Sequence, residues 1–258
     1  MRSRQSGREY RILIARPEQP APPGGFPVVY LLDGNAVFAT MVEAVRLQSR
    51  RPERTGVVPA IIVGIGYPTE QPFSAERYYD FTLPVPPEAL PAKPGGGAWP
   101  AHGGAQAFLA FIEEELKPQL ERELPIDCGR QTIFGHSLGG LFVLHTLLSK
   151  PQAFSTYIAG SPSIHWNPAG IAEQERGFAQ LVKGQAVRLN ALITVGEQER
   201  AHPSRMCDNA RAFAERLSVW TEQGVQVEFK EFAEEGHISV LPLLVSRAVR
   251  FALRPCSV

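Results

Sequence analysis

Gln131-Thr132-Ile133-Phe134-Gly135-His136-Ser137-Leu138-Gly139-Gly140-Leu141-Phe142-Val143-Leu144-His145-Thr146-Leu147-Leu148 is the stretch of this 258-residue chain from which its architecture can be read. Residues 131–134 have the composition of a short buried strand. Residues 141–148 have that of a helix, which ends before Pro151. Between them stands the pattern Gly-x-Ser-x-Gly. Strand, sharp turn and helix form the setting of a nucleophile elbow, where strained dihedrals hold a serine with Oγ clear of the strand's carboxyl end. Side chains at Gly135 or Gly139 should clash with the neighbouring strand and helix. The next backbone N–H, that of Leu138, is placed to stabilise an oxyanion. Ser137 is therefore the candidate nucleophile, against the plainer reading of a Gly-rich turn.

Outward from the elbow, residues 10–14 alternate like a half-exposed strand. Residues 28–32 and 61–65 are continuous apolar runs, as in parallel strands buried on both faces. Further strands are expected at 156–159, 189–195 and 225–232, and helices at 37–48, 104–123, 204–223 and 239–253. Pro118 should kink or end the regular part of the second helix. Strands alternating with helices imply one α/β domain over 1–258, with a mostly parallel central sheet covered on both faces. Residues 67–101 interrupt the alternation. This insertion carries eight prolines, Gly95-Gly96-Gly97 and several aromatic residues. A connection of that length is expected to line or lid a pocket at the sheet's carboxyl edge, with residues 91–97 as its mobile part.

Lys plus Arg and Asp plus Glu number 26 each, so neither a nucleic-acid surface nor a polybasic membrane patch is indicated. Cys128, Cys207 and Cys256 are odd in number and far apart, which excludes a disulfide framework or a zinc site. No run approaches the ~18 apolar residues of a membrane span. The charged start, Met1 to Arg8, does not read as a secretory signal, and a cytoplasmic location is expected. A strand beginning near Tyr10 makes that start abrupt, as if a short upstream segment were missing.

A serine hydroxyl needs a general base and a group to orient that base. In the order Ser, acid, His, the base must come from a late loop. Of the six histidines, His102 precedes the elbow, and His136 and His145 are held beside it where neither can reach Oγ. His165, His202 and His237 remain, and His237 lies between the last strand and the last helix, where the order requires the base. The acid should follow the strand at 189–195. Glu199 is preferred, Glu197 is second, and Asp208, inside the next helix, is a distant third. The plainer reading pairs the two glutamates with Arg200 or Arg205 in water. A second oxyanion donor is expected from Asp33-Gly34-Asn35: the Asn35 N–H first, with Gly34 as fallback. Gly34 permits the tight turn, and Asp33 ties it together.

Val29-Tyr30-Leu31-Leu32-Asp33-Gly34-Asn35-Ala36-Val37-Phe38 resembles the first signature of the putative-esterase branch of the α/β hydrolases. That branch includes esterases that linearise catecholate trilactone siderophores such as enterobactin, salmochelin and bacillibactin. Arg77-Tyr78-Tyr79-Asp80-Phe81-Thr82, Gly103-Gly104-Ala105, the elbow, Ser161-Pro162-Ser163-Ile164-His165-Trp166, Gly196-Glu197-Gln198-Glu199 and Gly236-His237 match it in order. The resemblance implies an α/β-hydrolase fold and serine-dependent ester hydrolysis with no cofactor or metal. A start that does not read as an export segment, and His165 where a second aromatic is common, depart from the pattern of the secreted members.

The leading expectation is thus an esterase for a small-molecule ester, with a ferric catecholate siderophore as the particular candidate. A broad carboxylesterase or thioesterase of the S-formylglutathione hydrolase kind comes second, and a hydrolase-fold protein that binds without turnover third. Arg77, His165 and Trp166 are the expected substrate contacts, Arg77 for anionic charge and the two rings for flat aryl groups. A buried pair with Asp80 is the alternative use for Arg77. Oligomeric state is not legible.

Overall fold

The computed structural model describes residues 1–93, 95–184 and 187–255; Cys256, and Pro94 within the expected mobile part of the insertion, lie outside the described residues. Seven strands form one sheet: β1 (Arg11–Ala15), β2 (Phe26–Leu31), β3 (Ile61–Gly66), β4 (Ile126–His136), β5 (Thr156–Gly160), β6 (Leu189–Gly196) and β7 (Val225–Phe232). Their order is β1-β3-β2-β4-β5-β6-β7. Only β1 runs antiparallel, pairing Leu13 with Gly64; the other five pairings are parallel. This is the α/β-hydrolase fold.

The apolar runs behave as central strands should. Every residue of β2 and β3 is buried. Val28, Tyr30 and Val63 enter the core on one face, with Phe108, Phe142 and Leu144. Val29, Leu31 and Ile62 enter the opposite core, with Leu244, Val245 and Val249. Alternate side chains thus serve opposite faces, as the pleat demands. The Leu138–Ser149 helix is buried from Leu138 to Leu148, the all-round apolarity of a central helix.

Several elements differ from expectation: a helix, Pro168–Gly184, fills the stretch between β5 and β6 where none was expected, and the helix expected over 204–223 runs Met206–Ser218. β4 begins at Ile126, because its half-exposed first residues continue the pairing with β2 past an irregularity near Phe26 and so carry no apolar signature. The chain stays helical from Ala105 to Glu123 through Pro118. A π-helical turn over Ile112–Leu116, with Lys117 N–H bonded to the Ile112 carbonyl, widens the backbone just before the proline and gives its ring room.

Because β2 to β7 run parallel, the loops after β2, β4, β5, β6 and β7 all open at one edge. Every candidate site residue except those of the insertion stands on one of them.

Candidate active site

At the elbow, Ser137 has φ 61° and ψ −118°, a strained conformation for a residue with a Cβ. The two glycines are not equivalent. A Cβ at Gly135 would lie 2.3 Å from the Gly139 carbonyl oxygen, whereas one at Gly139 would meet only ordinary contacts near 3.5 Å. Gly135 is the steric requirement, and the clash expected at Gly139 is absent. Gly140 takes that role instead, its added Cβ falling 2.7 Å from the Gly160 carbonyl. After β2 the left-handed residue is Asp33, at φ 52°, rather than Gly34. Gly34 is needed for close packing, since a Cβ there would lie 2.9 Å from the Gly64 backbone.

Leu138 is the first residue of one helix, and Gly34 and Asn35 begin another, Gly34–Gln48. First-turn N–H groups have no acceptor within their own helix, and the dipole at each end favours negative charge. The two helix starts follow neighbouring strands, so their N–H groups share one edge. The Asn35 side chain is occupied elsewhere: Oδ1 accepts the Tyr67 N–H at 2.8 Å, and Nδ2 donates to the Tyr67 and Thr69 carbonyls. It fastens the start of the insertion to the turn.

His237 Nδ1 hydrogen-bonds to Glu199 Oε1. The carboxylate accepts on its other oxygen from the Ser161 hydroxyl at 2.7 Å and the Gly196 N–H at 2.8 Å. Burial raises the Glu199 pKa, but the hydrogen bonds from His237, Ser161 and Gly196 together outweigh it and hold the group below the usual carboxylate range. An ionised acceptor on Nδ1 keeps the proton there and leaves Nε2 unprotonated, the tautomer of a general base. Glu197 instead accepts the Glu234 N–H at 2.9 Å and ties together the loops after β6 and β7. Asp208 pairs with Arg205 at 3.0 Å. The structure therefore brings Glu199, not Glu197 or Asp208, to His237.

Ser137 Oγ makes no hydrogen bond to His237. Its partner is Ser163 Oγ at 3.3 Å. His237, with its side chain 35 % exposed, is open to the site's solvent side. Its ring leans on that of His136, centroids 4.6 Å apart. Burial first, and then His237, push the His136 pKa down to about 3, so the supporting ring is neutral. His136 thus packs against the candidate base His237. Ser161, Ser163 and His136 are the residues the chemistry of the sequence did not single out. Their one signal was membership of the Ser161–Trp166 and elbow motifs.

Two of the expected substrate contacts are buried in the structure. Arg77 is 7 % exposed and gives Nε and Nη2 to the two carboxylate oxygens of Asp33, at 2.9 and 2.8 Å, with Nη2 also 3.2 Å from the His136 carbonyl. Its charge is spent inside the protein, tying the Arg77–Phe81 helix of the insertion to the turn at Asp33 and to the elbow. The alternative pairing with Asp80 also fails: Asp80 takes Arg8 and the Tyr10 and Tyr67 hydroxyls. Removing one partner of a buried pair strands the other charge. Arg77→Leu should cost about 3–5 kcal/mol in urea unfolding at neutral pH. Adding Asp33→Asn should recover part of that loss.

Trp166 is 2 % exposed. Its ring meets Trp99 at 4.8 Å and Tyr78 at 5.8 Å, so it packs against the insertion and helps to anchor it. Trp99 in turn donates Nε1–H to the Pro91 carbonyl at 2.7 Å. His165 alone of the three stands half-buried near the site, 6.3 Å from the His202 ring. Its pKa is lowered by burial first, then by His202 and His237.

An elbow serine at the end of the central strand of a hydrolase sheet, with a hydrogen-bonded histidine and carboxylate from later loops at the same edge, is the arrangement of a serine hydrolase. A family model described as a putative esterase matches residues 3–238, and the chain belongs to that family. The ferri-bacillibactin esterase BesA of Bacillus subtilis is 60 % identical over 255 residues, 99 % of this chain and 88 % of that protein. The siderophore enterobactin esterase of Emericella nidulans is 37 % identical over 251 residues, 86 % of this chain and 80 % of that one. A crystal structure of the BES protein from Bacillus cereus matches with a TM-score of 0.91 at 47 % identity, covering 99 % of this chain and 94 % of the other. The protein is an esterase, a serine hydrolase of carboxylic ester bonds in small molecules. No helix among the described residues is long and apolar enough to cross a membrane.

Proposed function

We propose that this esterase opens the ester bonds of catecholate trilactone siderophores, with Ser137, His237 and Glu199 as its triad. Likeness over 99 % of the chain to a ferri-bacillibactin esterase carries the substrate reading. In the proposed mechanism, the Ser137 hydroxyl swings its hydrogen toward His237 while Oγ stays within reach of Ser163, loses that proton to Nε2 and attacks the lactone carbonyl. Glu199 holds the Nδ1–H and stabilises the imidazolium. The oxyanion is met by the N–H groups of Leu138 and Asn35, with Gly34 as the alternative to Asn35. Collapse expels the alcohol, which takes the proton from His237 and leaves an acyl-enzyme. Water, giving a proton to His237, hydrolyses that ester and returns Ser137. Free Cys128 and Cys207 support a reducing, cytoplasmic place of action.

The burial of Arg77 and Trp166 favours one rival, a broad carboxylesterase, because the expected cationic and aryl contacts are engaged inside the protein. Comparison of kcat/KM for iron-loaded and iron-free trilactones with that for p-nitrophenyl acetate decides. Binding energy from the remote catechols should raise the trilactone value on the order of a hundredfold above the acetate. Equal or better hydrolysis of the acetate would give the rival its place.

A further inference from the structure

We infer that Ser163 is a positioning residue for the nucleophile, an inference that rests on Ser137 being that nucleophile. The loop Ser161-Pro162-Ser163 after β5 reaches both ends of the triad. Ser161, fully buried and at φ 41°, donates its hydroxyl to Glu199. Ser163, 5 % exposed, holds Ser137 Oγ.

The placement of that second hydroxyl is built in. Ser163 N–H donates to the Ser137 carbonyl at 3.1 Å, and the Ser137 N–H to the Gly160 carbonyl at 2.9 Å, so elbow and loop are stitched from both sides. Ser161 N–H is fixed on the Thr194 carbonyl at 2.7 Å, and Pro162 restricts φ between the two serines. Trp166 N–H closes a turn on the Ser163 carbonyl at 2.9 Å. The absence of a side chain at Gly140 lets the elbow helix approach Pro162, whose Cα would lie 3.1 Å from a Cβ there. These constraints fix the Ser163 backbone, so its Oγ has only the staggered χ1 positions to choose from, and the one adopted faces Ser137 Oγ.

Ser163 Oγ is the one hydrogen-bond partner of Ser137 Oγ among the described residues. In the resting enzyme it sets the rotamer of the nucleophile. When the Ser137 proton moves to His237 and Oγ bonds to the carbonyl carbon, Oγ can only accept, and Ser163 then donates to it while keeping its own proton. The same hydroxyl faces Oγ again as that atom leaves the acyl-enzyme. Its contribution therefore belongs to the attack itself and is independent of what the substrate carries.

The test compares Ser163→Ala and Ser163→Cys with wild type on p-nitrophenyl acetate, on a bulky aryl ester and in the rate of fluorophosphonate labelling. Loss of one hydrogen bond to the reacting atom should lower kcat about tenfold with KM unchanged. The factor should be the same for both esters and for labelling. Cysteine fills the space but hydrogen-bonds weakly, so it should lose nearly as much as alanine, and it serves where alanine impairs folding. Wild-type kcat in the cysteine variant would assign Ser163 to packing and overturn the inference. A loss confined to the bulky ester would make it a substrate contact and overturn it equally. Wild-type protein that resists labelling would instead remove Ser137 as nucleophile, a separate failure.

Discussion

Ser137→Ala is expected to abolish fluorophosphonate labelling and to lower kcat by a factor on the order of 10⁴ or more. The size follows from what one atom does. In the proposed mechanism Oγ is the acyl acceptor, and its removal deletes the covalent route rather than weakening it. What remains is whatever the proposed oxyanion donors at the two helix starts can do for direct attack by water, a residual of roughly 10³ over the uncatalysed rate. Folding should be nearly untouched. The backbone at 137 is already at φ 61° with an L side chain in place, and alanine adds nothing to that strain. The lost contact is one hydroxyl pair with Ser163. Thermal unfolding should therefore shift little while activity disappears. Undiminished ester hydrolysis in this variant would remove Ser137 from the mechanism.

Much of this arrangement could be read along the chain, and the reason is local. Continuous apolar runs such as Val28 to Leu32 mark strands buried on both faces, and the elbow pattern is a short-range steric requirement. Chain order then limits where a base and an acid can stand. What escaped depends on distance and direction. Arg77 finds its carboxylate 44 residues away, at Asp33, while the nearby Asp80 is claimed by Arg8 and two tyrosines. Composition shows that Trp166 is aromatic but not which side of its loop faces inward, and the insertion's own Trp99 takes it into the interior. The two hydroxyls of Ser161-Pro162-Ser163 were legible only as part of a motif, because a serine's use is set by what stands opposite it.

Glu197 and Glu199 are the sharpest case, two carboxylates on one short turn with different work. Glu199→Gln is expected to lower kcat by about 10²–10⁴, and Glu197→Gln by much less. The asymmetry comes from hydrogen-bond direction. Three donors converge on Glu199: the Ser161 hydroxyl and the Gly196 N–H on one oxygen, and His237 Nδ1–H on the other. A glutamine has only one accepting atom. With its carbonyl turned to Ser161 and Gly196, its NH₂ meets His237 and forces Nδ1 to accept. The ring proton then sits on Nε2, and the imidazole cannot take one from Ser137. With the amide flipped, the NH₂ opposes the Gly196 N–H inside the protein. Glutamine at 197 keeps a carbonyl for the Glu234 N–H, so its loop survives. Stability supplies an independent readout. The hydrogen bonds hold the Glu199 pKa down in the folded state, so its carboxylate adds stability above the unfolded value of about 4.3. That contribution is lost as pH falls through the lower folded value. The stability gap between wild type and Glu199→Gln in urea should therefore be full at pH ~7 and close progressively below about pH 4. Equal kinetic losses at 197 and 199, with a gap indifferent to pH, would mean that the turn acts as a unit and that Glu199 has no separate hold on His237.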